Sequence, residues 1–571
     1  MTGQEISIRF YPGGGKVSGW KGISLLEAAA LAGVIVDTPC GGAGTCGKCR
    51  VRFRENAPEP HAVEVRFLDA DAIADGWRLG CQVHIDADAE IEVPAESVLC
   101  GYHQIQTDSN TTNDRSMDVD IRKYYLTLTP PTLNDGVPDL LRIERAVQTQ
   151  VGGNQESSLT LEAPAGVLQV LGDDLRASKF SGTVTLRGST LVHFEPDNTV
   201  DAAYGVAFDI GTTTLVGVLM HLVSGKEIGV ASALNPQTAY GDDVLSRIAF
   251  ASKDKPSLTK IRSCLLEQLQ KMVQQLCEQA GISAQHIYTV SVAGNTTMQH
   301  LVLGCNPASL GMVPFVPVYG RSVVLPAEEF TLGIHPYAQA YVFPVIGGFV
   351  GGDTVSGMLA TDLVALDNPV LMLDIGTNGE LVLVHNENIL AASTAAGPAF
   401  EGSRISCGMR ATDGAIEKVS LSDDLELGVI GSGTPRGICG SGLIDICAQL
   451  LNAGALTADG RLLIGNDLSE SVPAGLRHRM RLGRENEPEC VLYEDSNRTL
   501  RFTQKDVREV QLGVGAIRAG IVLLLKQAGL VAGDLQQIMI AGGFGSFIRR
   551  DNAQRIGLIP GEVSHEKIRF V

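Results

Sequence analysis

Four cysteines carry the first chemistry. Cys40, Cys46 and Cys49 have five and then two residues between them, and Cys81 follows after 31 more. Four thiolates, three from one tight loop and one from a distant position, suit an iron–sulfur cluster. The residues between the first three, in CGGAGTCGKC, are mostly glycine, alanine and threonine. A loop wrapped around a cluster needs backbone angles that glycine supplies, and its N–H groups must point inward at the sulfurs. Zinc is the alternative for four thiolates, but zinc sites usually present two CxxC-like pairs. Here one CxxC is joined to a wide loop. The other eight cysteines read as small buried hydrophobes. Cys407 and Cys439, in glycine-rich loops, are less clear, and Cys100 lies just beyond the unit and is not needed as a ligand.

The second chemistry appears twice. YGVAFDIGTTTLVGVL (204–219) and PVLMLDIGTNGELVLV (369–384) each run from an apolar strand through Asp-Ile-Gly-Thr and a polar turn into a second apolar strand. Gly211 and Gly376 let backbone N–H groups approach phosphate oxygens. Thr212, Thr213, Thr377 and Asn378 can donate further hydrogen bonds. Asp209 and Asp374 can hold a hydrated Mg²⁺, an ion that rarely gets an all-protein cage. One such tetrapeptide would be an ordinary turn. Two, 165 residues apart and each inside a strand–turn–strand, imply an internally duplicated fold.

Further glycine-rich turns complete this set. SVAGNTTMQHLVLG (291–304) places Asn295 to cap a helix, and IGGFVGGDTVSGMLA (346–360) places Asp353 similarly. GICGSGLIDICAQL (437–450) puts glycines at a helix start, and IMIAGGFGSFI (538–548) ends a buried strand in Gly542 and Gly543. Helix N-termini favour phosphate, and a flat Gly-Gly surface lets an adenine ring reach the backbone. Asp242, Asp243, Glu380 and Glu401 lie near these loops. One of them would orient an attacking water, but the sequence does not select it, and a solvated carboxylate is the default for each.

These residues need elements to position them. Residues 1–95 read as one unit: strand ISIRF, a turn at Gly13–Gly15, a helix in SLLEAAALAGV capped at Ser24, the cysteine loop, strand CRVRF and a closing strand IEVP. Residues 96–118, with QTDSNTTNDRS, read as a linker. Residues 119–202 read as a small α+β middle domain. Its expected strands are YYLTLTPP and SSLTLEAP, its helix LNDGVPDLLRIERAV, and its hairpin VTLRGSTLVHFEP turns at Gly188 and Ser189. Residues 203–571 alternate apolar strands with glycine turns and amphipathic helices, the α/β texture of a nucleotide-binding core.

The bulk numbers set limits. A chain of 571 residues with 44% hydrophobic content can build several cored domains. A net charge of −19 repels nucleic acid. No long apolar run reads as a membrane span. MTGQEISIRF lacks a basic region followed by an apolar stretch, and twelve cysteines in so long a chain suit reduced thiols, so a cytoplasmic location is expected.

The five-residue first gap resembles adrenodoxin-like [2Fe–2S] ferredoxins more than the plant-type pattern, which has four. The resemblance implies a β-grasp unit whose cluster is held by Cys40, Cys46, Cys49 and Cys81. The paired DIGT segments and the late AGGFG turn resemble the superfamily of acetate and sugar kinases, heat-shock ATPases and actin. More specifically, the order of parts is similar to the family of reductive activators of corrinoid proteins. NPQTAYGDDVLSRI (235–248), VAGNTTMQHL (292–301), AAGPAFEG (395–402), ICGSGLID (438–445) and IAGGFGSF (540–547) share that resemblance. It implies a multidomain α/β protein with a ferredoxin, a small middle domain and a duplicated actin-like ATPase core. It further implies ATP, Mg²⁺ and a [2Fe–2S] cluster as cofactors, a corrinoid protein of a methyltransferase system as partner, and a low-potential electron donor. The expected activity returns cobalt from Co(II) to Co(I) at the expense of ATP. A homodimer is left open. In the family's pattern a Gly-Asn turn and another small-residue helix follow the equivalent of KIRFV, whereas this sequence stops at Val571, as either a truncated chain or a shorter version would.

Two other readings compete. One is an ATP-driven electron activator of a different metalloenzyme; the other is a redox carrier or sensor that only binds nucleotide. Ser393, Thr394 and Ser403 flank AAGPAFEG and offer hydroxyls toward cobalt, although exposed hydroxyls near a turn are usually only that.

Overall fold

Strand Glu5–Tyr11 alternates, burying Ile6, Ile8 and Phe10 and leaving Arg9 in solvent. It lies in a five-stranded sheet ordered Lys16–Trp20, Glu5–Tyr11, Ala89–Glu92, Arg50–Phe53, Trp77–Leu79. The pairing of Glu5–Tyr11 with Ala89–Glu92 is parallel and the others are antiparallel. Helix Leu25–Leu31 adds Leu25, Ala28 and Ala29 to the same core. This is the mixed sheet with a crossing helix expected of a β-grasp ferredoxin. The computed structural model describes residues 5–571 apart from 12–14, 33, 35, 37–43, 45–46, 48, 95–118, 152–158, 242, 377, 403, 432, 484–485, 497 and 543–547. For Glu5, Trp20, Glu27, Ala30 and Leu31 it describes the backbone alone. The segment read as a linker, 96–118, and Cys100 within it therefore lie outside the described residues.

Strands Ile121–Thr127, Ser181–Arg187 and Thr190–Glu195 form an antiparallel sheet, packed by helices Asp139–Val151 and Ala165–Ala177 through Ile143, Val147, Leu171 and Leu175. Two sequence expectations change here. LNDGVPDLLRIERAV is helical only from Asp139, because Pro138 drives the residue before it out of helical angles. SSLTLEAP is not a strand: its described part makes one isolated bridge, Glu162 to Thr190. Pro164 then caps a helix that buries Val167, Leu171 and Leu175 at four-residue spacing. The Arg187 guanidinium fastens this unit to the next by donating to the carbonyls of Tyr288 (2.6 Å) and Tyr337 (2.9 Å).

From Tyr204 onward two sheets repeat one plan. The first is ordered Lys226–Leu234, Thr214–His221, Tyr204–Ile210, Ile287–Gly294, Gln339–Val342, Val323–Pro326; the second is Asn388–Thr394, Gly379–His385, Val370–Ile375, Gln537–Ala541, Ile568–Phe570. In each, an antiparallel meander lays its first strand parallel to a strand from far along the chain. Each lobe also carries a long helix, Lys255–Ala280 in the first and Gln504–Ala528 in the second. Covered on both faces, the central strand of the second lobe buries Val370, Leu371, Met372 and Leu373 almost completely. Each lobe has its own hydrophobic core. The duplicated ATPase architecture is thus present. Among the described residues no helix is long and apolar enough to cross a membrane.

Candidate functional site

Strand pairing places two of the four cysteine positions side by side. Cys49 immediately precedes strand Arg50–Phe53, and Cys81 sits in the one-turn helix Gly80–Gln82 after strand Trp77–Leu79. Arg50 pairs with Leu79, and Gly80 N–H donates to the Cys49 carbonyl at 2.7 Å. Cys49 is buried and Cys81 half-buried. The chain leading into Cys49 needs its glycines: Gly44 and Gly47 have φ of +68° and +67°, and a Cβ on Gly47 would lie 2.5 Å from the Phe67 ring. Gln82 Nε2 lies 3.4 Å from Cys81 Sγ, a donor aimed at a sulfur. Positive φ, close walls and a donor to sulfur fit a cluster cradle. Cys40 and Cys46 lie outside the described residues.

The two DIGT turns form at matched strand ends. Gly211 N–H donates to the Thr214 carbonyl and Gly376 N–H to the Asn378 carbonyl, both at 3.0 Å. A Cβ on Gly211 would lie 2.6 Å from that carbonyl oxygen, so the turn closes only on glycine. Asn295 caps helix Thr296–Leu303, and its Nδ2 donates to Thr212 Oγ1 at 3.0 Å. Thr213 and Asn378 are half-buried on their turns; Thr377 and Gly543 lie outside the described residues. The parallel pairing sets Ala293 beside Asp209 and Ala541 beside Asp374, so the glycines that follow, Gly294 and Gly542, are equivalents. A Cβ on Gly294 would lie 2.7 Å from Ile210 O, and one on Gly542 2.8 Å from Asp374 Oδ1. Farther along the chain, Arg549 and Asn552 both donate to the buried Asp445 on helix Gly440–Ala453.

Carboxylates from both lobes share one space. Asp209 opens to the cleft, yet protein walls surround it: burial, then Asp353 and Asp374, push its carboxyl up to about 7. Burial and Asp353 push Asp374 up to about 6. Glu380, directly across the hairpin from Asp374, is pushed up to about 8 by burial and by Asp374 and Asp353. Burial raises Asp353 as well. Such mutual repulsion is what a bound cation relieves.

The expectation that Asp353 caps its helix is corrected. Gly351 is the cap, and Asp353 is the second residue of helix Gly352–Ala360, with Oδ1 accepting from Thr354 N at 2.7 Å. A Cβ on Gly351 would lie 2.5 Å from the Gly294 carbonyl oxygen, so the cap position admits only glycine.

A sequence model of the 2Fe-2S iron-sulfur cluster binding domain matches residues 17–86. Models of the RACo linker region, the RACo middle region and the C-terminal ASKHA domain of RACo match residues 110–201, 204–365 and 368–571. The corrinoid activation enzyme RamQ of Eubacterium limosum is 33% identical over 541 residues, covering 94% of this chain and 86% of the relative. The chain belongs to the family of reductive activators of corrinoid proteins. A solved structure titled reductive activator for corrinoid,iron-sulfur protein has 33% identity and a TM-score of 0.70, covering 99% of this chain and 90% of that one. The [Co(II) methylated amine-specific corrinoid protein] reductase of Methanosarcina barkeri is 26% identical over 63% of this chain and 66% of its own. What the family models call the linker region spans most of the unit read from the sequence as a middle domain.

Within this family fold the other carboxylates separate. Asp243 forms a capping box with Ser246 at the start of helix Val244–Ala251, a structural use. Glu401 closes the turn Pro398–Glu401, and a Cβ on Gly376 would lie 4.0 Å from its Oε1. Asp242 lies outside the described residues. Ser393 Oγ donates to Glu380 Oε1 at 3.2 Å and Thr394 Oγ1 to the Gly379 carbonyl at 3.1 Å, so both hydroxyls serve the second hairpin; Ser403 lies outside the described residues. Cys439 is buried, with its thiol pushed up by burial, and half-buried Cys407 accepts from Arg501 N–H at 3.4 Å. Asn235 and Arg247 hold the first DIGT turn from outside, contacts that motif reading missed. Asn235 Nδ2 donates to Gly211 O at 2.9 Å, and Arg247 Nη2 donates to Thr212 O. Their signal was a polar pair flanking NPQTAYGDDVLSR, which carried only a family likeness.

Proposed function

We propose that the protein uses ATP to return the cobalt of a corrinoid protein from Co(II) to Co(I), delivering the electron through its ferredoxin unit. One observation carries this: a thiolate cradle and a two-lobed phosphate cleft belong to one chain whose family is defined by corrinoid activation. A [2Fe–2S] cluster bound by Cys40, Cys46, Cys49 and Cys81 would supply electrons one at a time. Each ~59 mV of uphill one-electron transfer costs about 1.4 kcal/mol, so a low-potential cobalt couple needs a second source of free energy.

In this reading residues 1–95 accept the electron from a low-potential donor, residues 119–202 tether that unit, and residues 203–571 hydrolyse ATP. Gly211, Thr212, Thr213, Gly376, Thr377 and Asn378 bind phosphate oxygens, and Gly542 and Gly543 receive the adenine. Asp209 and Asp374 would hold a hydrated Mg²⁺. Among the described residues no three His, Cys, Asp or Glu side chains close on a bare ion, so the cation they suit keeps water in its shell. Glu380, raised to about 8, holds a proton in the nucleotide-free cleft. Released when the cation enters, its carboxylate is the group best placed to orient the attacking water. Twelve cysteines read as reduced thiols support a cytoplasmic location. Both lobes come from one chain, so a homodimer would join complete sites.

ATP hydrolysis tests the reading. Adding a corrinoid protein in its Co(II) state should stimulate hydrolysis by the cluster-loaded protein. Hydrolysis that no corrinoid protein alters would count against it.

A further inference from the structure

A phosphate turn works only if its carbonyls face away from the anion. In the first hairpin each one is held from behind. Gly211 O accepts Asn235 Nδ2 at 2.9 Å, Thr213 O accepts Asn235 N–H at 2.8 Å, and Thr212 O accepts Arg247 Nη2. Across a planar trans peptide the carbonyl and the following N–H point in opposite directions. Holding the Gly211 and Thr212 carbonyls inward therefore turns the N–H groups of Thr212 and Thr213 toward the cleft. Asn235 and Arg247 are both fully buried. Arg247 Nε also donates to Gly241 O at 2.7 Å, which locks the far end of the same segment.

The middle of that segment points elsewhere. Its turn Pro236–Tyr240 is tied to the long helix Lys255–Ala280 by Gln237 Nε2 donating to Ile261 O at 2.9 Å. The ferredoxin helix Leu25–Leu31 also packs against it. The same ferredoxin helix packs on Gly80–Gln82, the turn that carries Cys81. There Leu25 N–H donates to Val83 O at 3.0 Å, and a Cβ on Gly80 would lie 3.1 Å from Leu25 Cδ2. Phosphate turn, strap, ferredoxin helix and cysteine turn are thus consecutive packed neighbours.

We infer that Asn235–Arg247 is a strap coupling nucleotide to the ferredoxin: Asn235 and Arg247 are positioning residues of the first phosphate turn, and Pro236–Tyr240 is the seat on which the ferredoxin docks. Because the two sites share one segment, the linkage is reciprocal. Nucleotide in the turn stiffens the seat and favours docking, and docking presets the turn for nucleotide. The inference rests on the proposed nucleotide cleft, and its test scores the two separately.

The experiment is hydrogen–deuterium exchange on the full-length, cluster-loaded protein, with and without Mg²⁺ and the β,γ-imido analogue of ATP. In the wild type the analogue should slow exchange in peptides covering 374–380, which reports binding, and by about fivefold or more in those covering 25–32 and 236–241. Asn235→Asp keeps the shape but loses the donor to Gly211. At saturating analogue it should retain protection at 374–380 and lose it at 25–32. Ala239→Arg puts a long charged side chain on the half-buried seat; it should weaken analogue binding by about fivefold or more and leave the visible spectrum of the cluster unchanged. Protection at 374–380 with no change at 25–32 in the wild type would overturn the strap and spare the cleft. Wild-type analogue affinity in Ala239→Arg would do the same. No protection at either place would overturn both.

Discussion

Asp209 looks across its hairpin at Val216, whereas Asp374 looks across at Glu380. The first turn spans four residues between the paired Ile210 and Leu215; the second spans three between Ile375 and Gly379. The first is gripped from outside its meander by Asn235, Arg247 and Asn295. The second is braced from within, by Ser393 and Thr394 on the neighbouring strand, and gathers carboxylates instead. Duplication thus supplied one backbone twice, and the surroundings divided the work. On the proposed reading, one turn is a phosphate cradle connected to the ferredoxin, and the other is an acidic half that answers to a cation.

Five substitutions break or sharpen that comparison. Asp374→Ala and Asp209→Ala remove the pair both hairpins share. Each should lower the rate of ATP-dependent Co(I) formation on the order of 10²-fold or more, with the cluster's visible spectrum intact. Gly542→Ala strikes the second half alone. Its φ of +101° and the 2.8 Å approach of the new Cβ to Asp374 Oδ1 should cost about 2 kcal/mol of stability, read by denaturant unfolding, and should weaken nucleotide binding through Asp374.

Glu380→Gln tests the acidic half through pH. The folded state raises Glu380 from an ordinary 4.5 to about 8, Asp209 from 3.8 to about 7 and Asp374 from 3.8 to about 6. Each then contributes stability that is complete below the ordinary carboxylate range and lost as pH rises through the folded value. The Tm of the nucleotide-free protein should fall between pH 5 and pH 8. Glu380→Gln should flatten the fall and melt higher than wild type at pH 8, and Mg²⁺ affinity of the wild type should rise over the same window. The smallest effect is expected from Val216→Glu, which imposes on the first hairpin the like-charge pair native to the second. It should destabilise the protein by about 1 kcal/mol and make its stability fall further on raising pH than the wild type's.

Much of this was legible in residues that act locally. The cysteine spacing, the two DIGT turns and the Asn295 cap are short-range signals, and the strands around them alternate or run apolar as their burial requires. Glu380 was half legible: once a three-residue turn is fixed, antiparallel register sets it opposite Asp374, but turn length alone did not reveal its burial. Asp353 was misplaced by two positions because the close approach of Gly351 to Gly294 is a long-range contact with no trace in local sequence. The equivalence of VAGN with IAGG, the approach of Cys81 to Cys49, and the grip of Asn235 and Arg247 all come from strands or loops pairing across long stretches of chain. Periodicity cannot report such pairings. The false strand SSLTLEAP shows the reverse, a local β pattern overruled by Pro164 and the helix it opens.

The central claim is that electron delivery is tied to nucleotide in the shared cleft. It is tested most directly by anaerobic spectroscopy of the cluster-loaded protein with excess reductant and a corrinoid protein in its Co(II) state. Cluster and Co(I) absorbance are followed in one cuvette, with and without ATP, for wild type and Asp374→Ala. The account predicts reduction of the cluster in all four mixtures and Co(I) only in wild type with ATP. Co(I) appearing equally fast without ATP, or equally fast in Asp374→Ala, would contradict it.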